Sequence, residues 1–561
     1  MRFDKQTCFI LKDVGSNLDK NHIVYTVKIL FEIFKETRPE LFKKDKKNKA
    51  GRKKIYKKEE MLPFISWGHI MEITSCRSLE NWWKNNDETC QFLLNCKKPS
   101  KTTINDFMNN NVYLIDEFDD FIVQFGLKTC LIEGKIIYGD GTILKGYCNP
   151  DKKMYPDQIE YLKDFIIKYY NEYKNNKSDL WFKLHEFFYN GEYHEELKEF
   201  YKKLKQKINS NGIRLLKLSL KDYKGLKRVL KRLKKILSNI GGKNSISIVD
   251  PETRYMENKQ KQRGLNYNYQ LAIDDKTGMI ITHYITQHPN DQKESIPLIN
   301  RIQQRLKINN FTLVLDNGYW NTPLLHRIHK MPVKLIIPHR RAAMEKNAKR
   351  NLGKRIRYDK NKIQEEKYKN YNFKYFPEED AYLCPKGAKL TRANNIQNEG
   401  ITYKQYRTKE CTRCRYHDEC TSEYKKTIKD RFDPILDDFI KDYHSDYGQE
   451  AYKGRGPYIE GGFGILFESR NFKGLKRRGV KKANLEMTLT VITHNIKKIH
   501  KHINNKELFE ILQRIKKEKK GVIKKWYFRT LPSPIFLTYS LDNFYDYMRK
   551  QWKYQCRMIV N

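Results

Sequence analysis

Nowhere do the 561 residues approach the ~18 uninterrupted apolar positions of a membrane span, and no cleavable signal opens the chain. A soluble, cytoplasmic protein with no membrane partner is therefore expected. Cysteine is scarce, at 11 residues, and most of these, such as Cys8, Cys90, Cys130 and Cys556, are scattered. That excludes a disulfide scaffold and suits reduced thiols in a reducing compartment. Acid is also in short supply: 67 Asp and Glu face 111 Lys and Arg, a net charge of +44. So large an excess fits a polyanionic partner, nucleic acid first, better than a small neutral substrate. Richness in Lys, Asn, Ile and Tyr also fits A+T-rich coding DNA, so codon drift accounts for part of the charge. Internal repeats are absent.

At this length several domains can each bury a core. Residues 1–128 read as a helical amino-terminal DNA-binding domain of helix-turn-helix type. Apolar positions recur at helical spacing from Ile23 to Phe34, and Ser75 and Ser100 open short helices. A basic stretch at 43–58, including Ala50-Gly51-Arg52-Lys53-Lys54, is either a solvated linker or an arm along phosphates. Strand texture begins in the first part of a catalytic core at 129–340. There Ile136 to Leu144 reads as a strand bent at Asp140, which has a glycine on each side. A helical, basic insertion occupies 151–244, its charges either solvated faces or a surface tracking DNA.

Strand texture resumes at 245–250. A hairpin follows at 268–285, then an amphipathic helix at 291–307, a strand ending at Asp316, a helix at 322–330 and a strand at 333–338. That order describes an α/β or α+β layer with acids at strand ends, the usual position of a site. A polar insertion at 341–445 interrupts it. Helical texture returns at 446–503, and a basic tail covers 504–561.

The run Phe311-Thr312-Leu313-Val314-Leu315 carries Asp316 to its tip, stopped by Asn317-Gly318. With Asp140 from another strand and Glu460 from a helix, it makes three acids from separate elements. Such a set can hold two Mg²⁺ (or Mn²⁺) ions about 3.5–4 Å apart for phosphodiester chemistry. Glu468 is a rival third ligand. Asp250, in Asp250-Pro251, reads as a turn or cap residue, while its place just past a strand also allows it near the metals. One cysteine cluster stands out: Cys384-Pro385-Lys386-Gly387, Cys411-Thr412-Arg413-Cys414 and Cys420. It reads either as four thiolates for one structural Zn²⁺, with His417 as a replacement ligand, or as reduced cysteines in a loop.

Five separated motifs follow in order. They are Asp140-Gly141-Thr142, Asp250-Pro251-Glu252-Thr253-Arg254, Asn266-Tyr267-Asn268-Tyr269-Gln270, Asp316-Asn317-Gly318-Tyr319, and Tyr452, Arg455, Glu460 with Phe463-Gly464. Together they resemble insertion-sequence transposases of the DDE type, in the IS4-like superfamily, over about residues 17–500. The resemblance implies a mixed RNase H-like sheet flanked by helices, with Asp140, Asp316 and Glu460 as metal ligands. It places Tyr452 and Arg455 near phosphates. It further implies nicking at the element's ends, then attack of the freed 3′-OH on target DNA. Partners would be terminal inverted repeats, target duplex and a second copy of the chain, on the nucleoid of a bacterium or archaeon. The family pattern has a lysine two turns after the glutamate, where this chain has Phe467. Lys473 or Lys476 would substitute, or the chain is an impaired or domesticated DNA-binding derivative.

Overall fold

The computed structural model describes residues 18–43, 55–85, 88–94, 97–149, 151–191, 195–239, 245–257, 263–339, 373–398, 401–421, 423–431, 433–468 and 472–519. The basic stretch at 44–54, the first part of the 341–445 insertion and the tail beyond 519 lie outside the described residues. No helix among the described residues is long and apolar enough to cross a membrane.

Among the described residues six α-helices come first: α1 (Ile23–Thr37), α2 (Lys58–Ile70), α3 (Cys76–Lys84), α4 (Glu88–Leu94), α5 (Lys101–Asn110) and α6 (Val112–Lys128). The capping signals act as the sequence suggests, since Ser75 Oγ accepts from Ser78 N and Ser100 Oγ from Thr103 N. Val24, Val27, Phe31 and Phe34 form the buried stripe of α1, and Phe34 lies 5.1 Å from the Phe118 ring of α6.

Strand β1 (Ile136–Lys145) then leads into the first insertion. A short strand β2 (Lys153–Met154) precedes α7 (Pro156–Lys174), α8 (Leu180–Tyr189), α9 (Glu195–Lys207), α10 (Ser210–Lys221) and α11 (Tyr223–Leu237). These helices bury a core of their own around Leu162, Leu184, Leu216 and Leu233. The chain returns through β3 (Ile246–Ser247), paired with β2.

The principal sheet adds β4 (Arg254–Glu257), β5 (Arg263–Asp274) and β6 (Ile280–Thr286). After α12 (Ser295–Leu306) come β7 (Phe311–Val314), α13 (Thr322–Ile328) and β8 (Val333–Ile336). Its order is β4-β5-β1-β7-β8, with β6 continuing along the edge of β5 that β4 begins. β5 runs antiparallel to β1 and β6, whereas β1, β7 and β8 are mutually parallel. A central strand with an antiparallel hairpin on one side and two parallel strands on the other is the RNase H-like arrangement.

The second insertion, which the sequence marked only as polar and basic, is an antiparallel sheet. Its order is β13-β12-β11-β10-β9. The strands are β9 (Lys374–Phe376), β10 (Ala381–Leu383), β11 (Lys389–Asn398), β12 (Ile401–Arg407) and β13 (Ile428–Arg431), with the short helix α14 (His417–Cys420) before the last. Few apolar side chains are needed, because Phe373, Tyr382, Leu390, Tyr406 and Ile428 make up its buried cluster. Four helices end the described chain: α15 (Pro434–His444), α16 (Asp446–Phe463), α17 (Val480–His502) and α18 (Asn505–Lys519).

The principal sheet divides two cores by strand alternation. Ile137, Leu313 and Leu335 point to the face covered by the amino-terminal helices, α12 and one side of α17. Tyr138, Val314 and Ile336 point to the face that packs Ala451 and Ile459 of α16. On the first face, buried Asp119 of α6 pairs with Arg305 of α12, and His283 Nε2 lies 3.6 Å away. Burial alone would raise the proton affinity of Asp119, but Arg305 and His283 outweigh it and hold the carboxyl below its usual range. Asp119→Ala is expected to cost about 3–5 kcal/mol, because it strands a buried guanidinium. Chemical denaturation would show it as a lowered midpoint. The depressed carboxyl means the contribution is complete above pH ~4 and fades as the pH falls further.

Candidate active site at the ends of the parallel strands

β1 and β7 run parallel with Tyr138 opposite Val314. Two residues further along each chain stand Asp140 and Asp316, so the two acids emerge at one level. β1 does not bend at Asp140: it runs unbroken, with Gly139, Asp140 and Gly141 paired to Ala272, Leu271 and Gln270 of β5. The flanking glycines serve close packing instead. A Cβ on Gly139 would stand 2.6 Å from Leu315 Cδ2, and one on Gly141 would stand 2.3 Å from Asp291 Oδ1. Asp316 lies just past β7 as expected, where Oδ1 accepts from Gly318 N at 2.9 Å and caps a tight turn.

Arg455 of α16 joins the two acids. Its Nη2 lies 2.9 Å from Asp140 Oδ1 and 3.9 Å from Asp316 Oδ2. Burial disfavours the guanidinium charge, but the two aspartates more than compensate and fix it as a cation. Its Nε is buried with no hydrogen-bond partner among the described residues. One turn earlier, Tyr452 packs edge-on against Tyr443 at 5.2 Å, and burial pushes its hydroxyl up to about 12. α16 comes this close to β1 because position 454 is glycine: a Cβ there would stand 2.1 Å from the Tyr138 hydroxyl. Tyr138 itself stacks on Tyr458 at 5.1 Å.

Glu460 is placed differently. It is exposed on α16, five residues and about 140° around the helix from Arg455. Among the described residues, no three His, Cys, Asp or Glu side chains stand as a ligating group. Asp140 and Asp316 are thus brought together, and Glu460 is not in contact with them. Glu468 is also exposed. Phe467 faces inward, stacked on Phe463 at 5.8 Å and edge-on to Tyr269 at 6.0 Å. Lys476 Nζ donates to Thr74 Oγ1 at 2.7 Å, tying this region to the amino-terminal helices. Asp250 is structural: it accepts from Tyr267 Oη at 2.9 Å and from Gly479 N at 3.1 Å, where α17 begins. Glu252 Oε2 accepts from Val480 N at 2.7 Å beside it. Cys384, Cys411, Cys414 and Cys420 belong to the inserted sheet, where they line one cavity.

Behind Gly141, on the opposite face of β1, lies a polar array that sequence reasoning missed. The Tyr319 hydroxyl donates to Gln270 Oε1. Asn268 Nδ2 and Gln270 Nε2 both donate to Asp291 Oδ1, at 2.8 and 2.5 Å. Burial raises the proton affinity of Asp291, partly offset by those two donors, and the charge of Asp316 adds to the rise. One signal was available in the alternation Asn266-Tyr267-Asn268-Tyr269-Gln270. It puts three amides on one face of a strand whose other face is aromatic core.

An RNase H-like sheet presenting two aspartates at the ends of parallel strands defines a nucleic-acid-processing class of fold. Comparison with known proteins narrows it. Two families described as "Transposase DDE domain" match, one over residues 241–416 and the other over 383–500. Residues 241–500 therefore carry transposase DDE domain sequence, which indicates an enzyme that cleaves DNA and transfers strands. No curated protein sequence matches it. A solved structure, the cryo-EM piggyBac transposase synaptic complex with hairpin DNA, aligns with TM-score 0.27 and 10% identity, covering 95% of this chain and 86% of that one.

Gly454→Ala should push α16 off β1 and cost about 1–3 kcal/mol by overpacking against Tyr138. Lys453→Ala, one residue earlier and exposed, should stay within about 0.5 kcal/mol. Thermal unfolding of the two variants side by side checks this.

Proposed function

We propose that the chain is an insertion-sequence transposase that binds the terminal inverted repeats of its own element, nicks the ends and joins them to target DNA. The observation that carries this is the level placement of Asp140 and Asp316 on parallel strands, both within 4.0 Å of the Arg455 guanidinium. Their hard carboxylate oxygens fit Mg²⁺ or Mn²⁺. When bound there, such ions supply nucleophile activation and relief of developing charge on the phosphodiester.

The chain's own residues do the rest. Arg455 offers a planar fork whose Nε has no hydrogen-bond partner among the described residues, which suits a phosphate. Tyr452 lines the same approach, and Glu460 is the third acid, reaching the pair by a shift of α16 while Arg455 exchanges the aspartates for DNA. The net charge of +44 favours duplex DNA, with terminal repeats assigned to the amino-terminal helices and two copies holding two ends. The setting would be the nucleoid of a bacterial or archaeal cell.

A second reading, a derivative that binds ends without cutting them, is favoured by one observation. Phe467 occupies apolar packing where a lysine would reach DNA.

Incubation of the purified protein with an end-containing duplex and Mg²⁺ separates the two. Nicking is expected, and Asp140→Asn, Asp316→Asn and Glu460→Gln should each reduce it on the order of a thousandfold or more while duplex binding persists. Binding without nicking by the unaltered protein would instead establish the second reading. Equal cutting of duplexes with and without ends would replace both with a general nuclease.

A further inference from the structure

The inserted sheet carries a thiol cluster that the DNA chemistry leaves unused. Cys384 sits in a tight turn between β10 and β11, closed by a bond from Cys384 N to Ala388 O at 2.8 Å. Gly387 adopts φ +89° there, a left-handed conformation that glycine accepts at little cost. The turn aims two backbone N–H groups, those of Lys386 and Ala388, at Cys384 Sγ, at 3.3 and 3.2 Å. Two backbone donors on one sulfur fix its position, as the hydrogen bonds around a metal ligand do.

Cys411 and Cys414 lie three residues apart, in and just after the turn Lys409–Arg413, and Cys420 ends α14. All four sulfur-bearing residues line a single cavity of about 350 Å³, and all four are free cysteines. His417 borders the same cavity with both ring nitrogens engaged: Nδ1 with Asp418 at 3.1 Å and Nε2 with the Tyr424 carbonyl at 3.2 Å. The donor set is therefore four sulfurs.

Among the described side chains, the five strands share a small buried apolar cluster, with Cys384 and Cys420 packed against it. A sheet with so little core needs another staple. We propose that Cys384, Cys411, Cys414 and Cys420 bind one structural Zn²⁺, which ties the β10–β11 turn to the connection between β12 and β13. The thiols line the cavity without yet standing as a closed ligand set. Binding draws them to Zn–S distances of about 2.3 Å and releases their protons to solvent.

The consequence reaches the candidate site. Lys404 of β12 pairs with Asp437 of α15 at 2.6 Å, and Asp433 at the start of α15 pairs with His326 of α13 at 2.7 Å. α15 passes through Ser445 directly into α16, which carries Arg455. A sheet stiffened by zinc thus holds one end of the helix that meets Asp140 and Asp316.

Metal analysis of the full-length protein tests this without DNA, so its outcome is separate from that of the transposase assignment. About one zinc per chain is expected, retained in Asp140→Asn and Asp316→Asn and in Cys130→Ser, and lost in Cys411→Ser/Cys414→Ser. Should that double variant fail to fold, cobalt substitution of the unaltered protein is expected to give the intense visible bands of tetrahedral thiolate coordination. Protein that takes up no stoichiometric zinc even when supplied with it, zinc retained by the double variant, or cobalt bands lacking thiolate character would each overturn the proposal.

Discussion

Two ionised carboxylates at neighbouring strand ends repel each other, and in this protein the Arg455 guanidinium offsets that repulsion. Much of the architecture serves to deliver it. α16 must approach β1 closely, which explains glycine at 454 and the stacked tyrosines 138 and 458 beside it. The helix must also be held at its far end. α15 precedes it directly, fastened to α13 through Asp433 and to the inserted sheet through Asp437.

Behind the acids, the sheet is braced by polar groups where an ordinary core would be apolar. Gln270 both accepts from Tyr319 and donates to Asp291, and Asn268 donates to the same carboxylate, so the array behind Gly141 is hydrogen-bonded throughout. Fully paired polar networks of this kind specify one geometry more narrowly than greasy packing does. Tyr319 lies in the turn that Asp316 caps, and Gln270 lies on the strand paired to β1. The array therefore ties the strand next to Asp140 to the turn of Asp316. Asp250 and Glu252 perform a comparable task at the other end, where they receive the first backbone N–H groups of α17.

Much of this was legible in the chain because strand texture is a local property. The apolar run ending at Asp316, the hairpin of β5 and β6, and the amphipathic α12 each declare themselves over a few residues. What failed was whatever depends on partners distant in sequence. Glycines beside Asp140 suggested a bend, yet their purpose is the approach of Asp291 and Leu315, which nothing local reveals. The inserted sheet was hidden because its strands are mostly polar and contribute single side chains to a small core. Asp291 opens a short 3-10 turn before α12 and nothing in its local sequence marks it out, although Asn268 and Gln270 both donate to it.

α16 is the least conventional helix of the molecule, and its composition bears on how one element could serve both a cation and an acid. Arg455 and Glu460 project about 140° apart, so a straight helix cannot aim both at the same pair of aspartates. This one contains five glycines and Pro457 within 18 residues and passes directly into a π-helical turn at Gly464–Glu468. Interior proline costs a helix about 3 kcal/mol and each glycine about 1 kcal/mol relative to alanine, so its internal hydrogen bonds hold it weakly. Gly456 and Pro457 fall between Arg455 and Glu460, and no neighbouring atom of the described residues stands within 4 Å of where a Cβ of Gly456, Gly461 or Gly464 would be. Contacts among the described residues do not explain those three glycines; Gly456 with Pro457 loosens the helix between Arg455 and Glu460, and Gly461 and Gly464 loosen it where it passes into the π-helical turn. In the proposed enzyme, the exchange of Arg455 for Glu460 beside Asp140 and Asp316 would draw on that weakness, with α15 holding the chain immediately before α16.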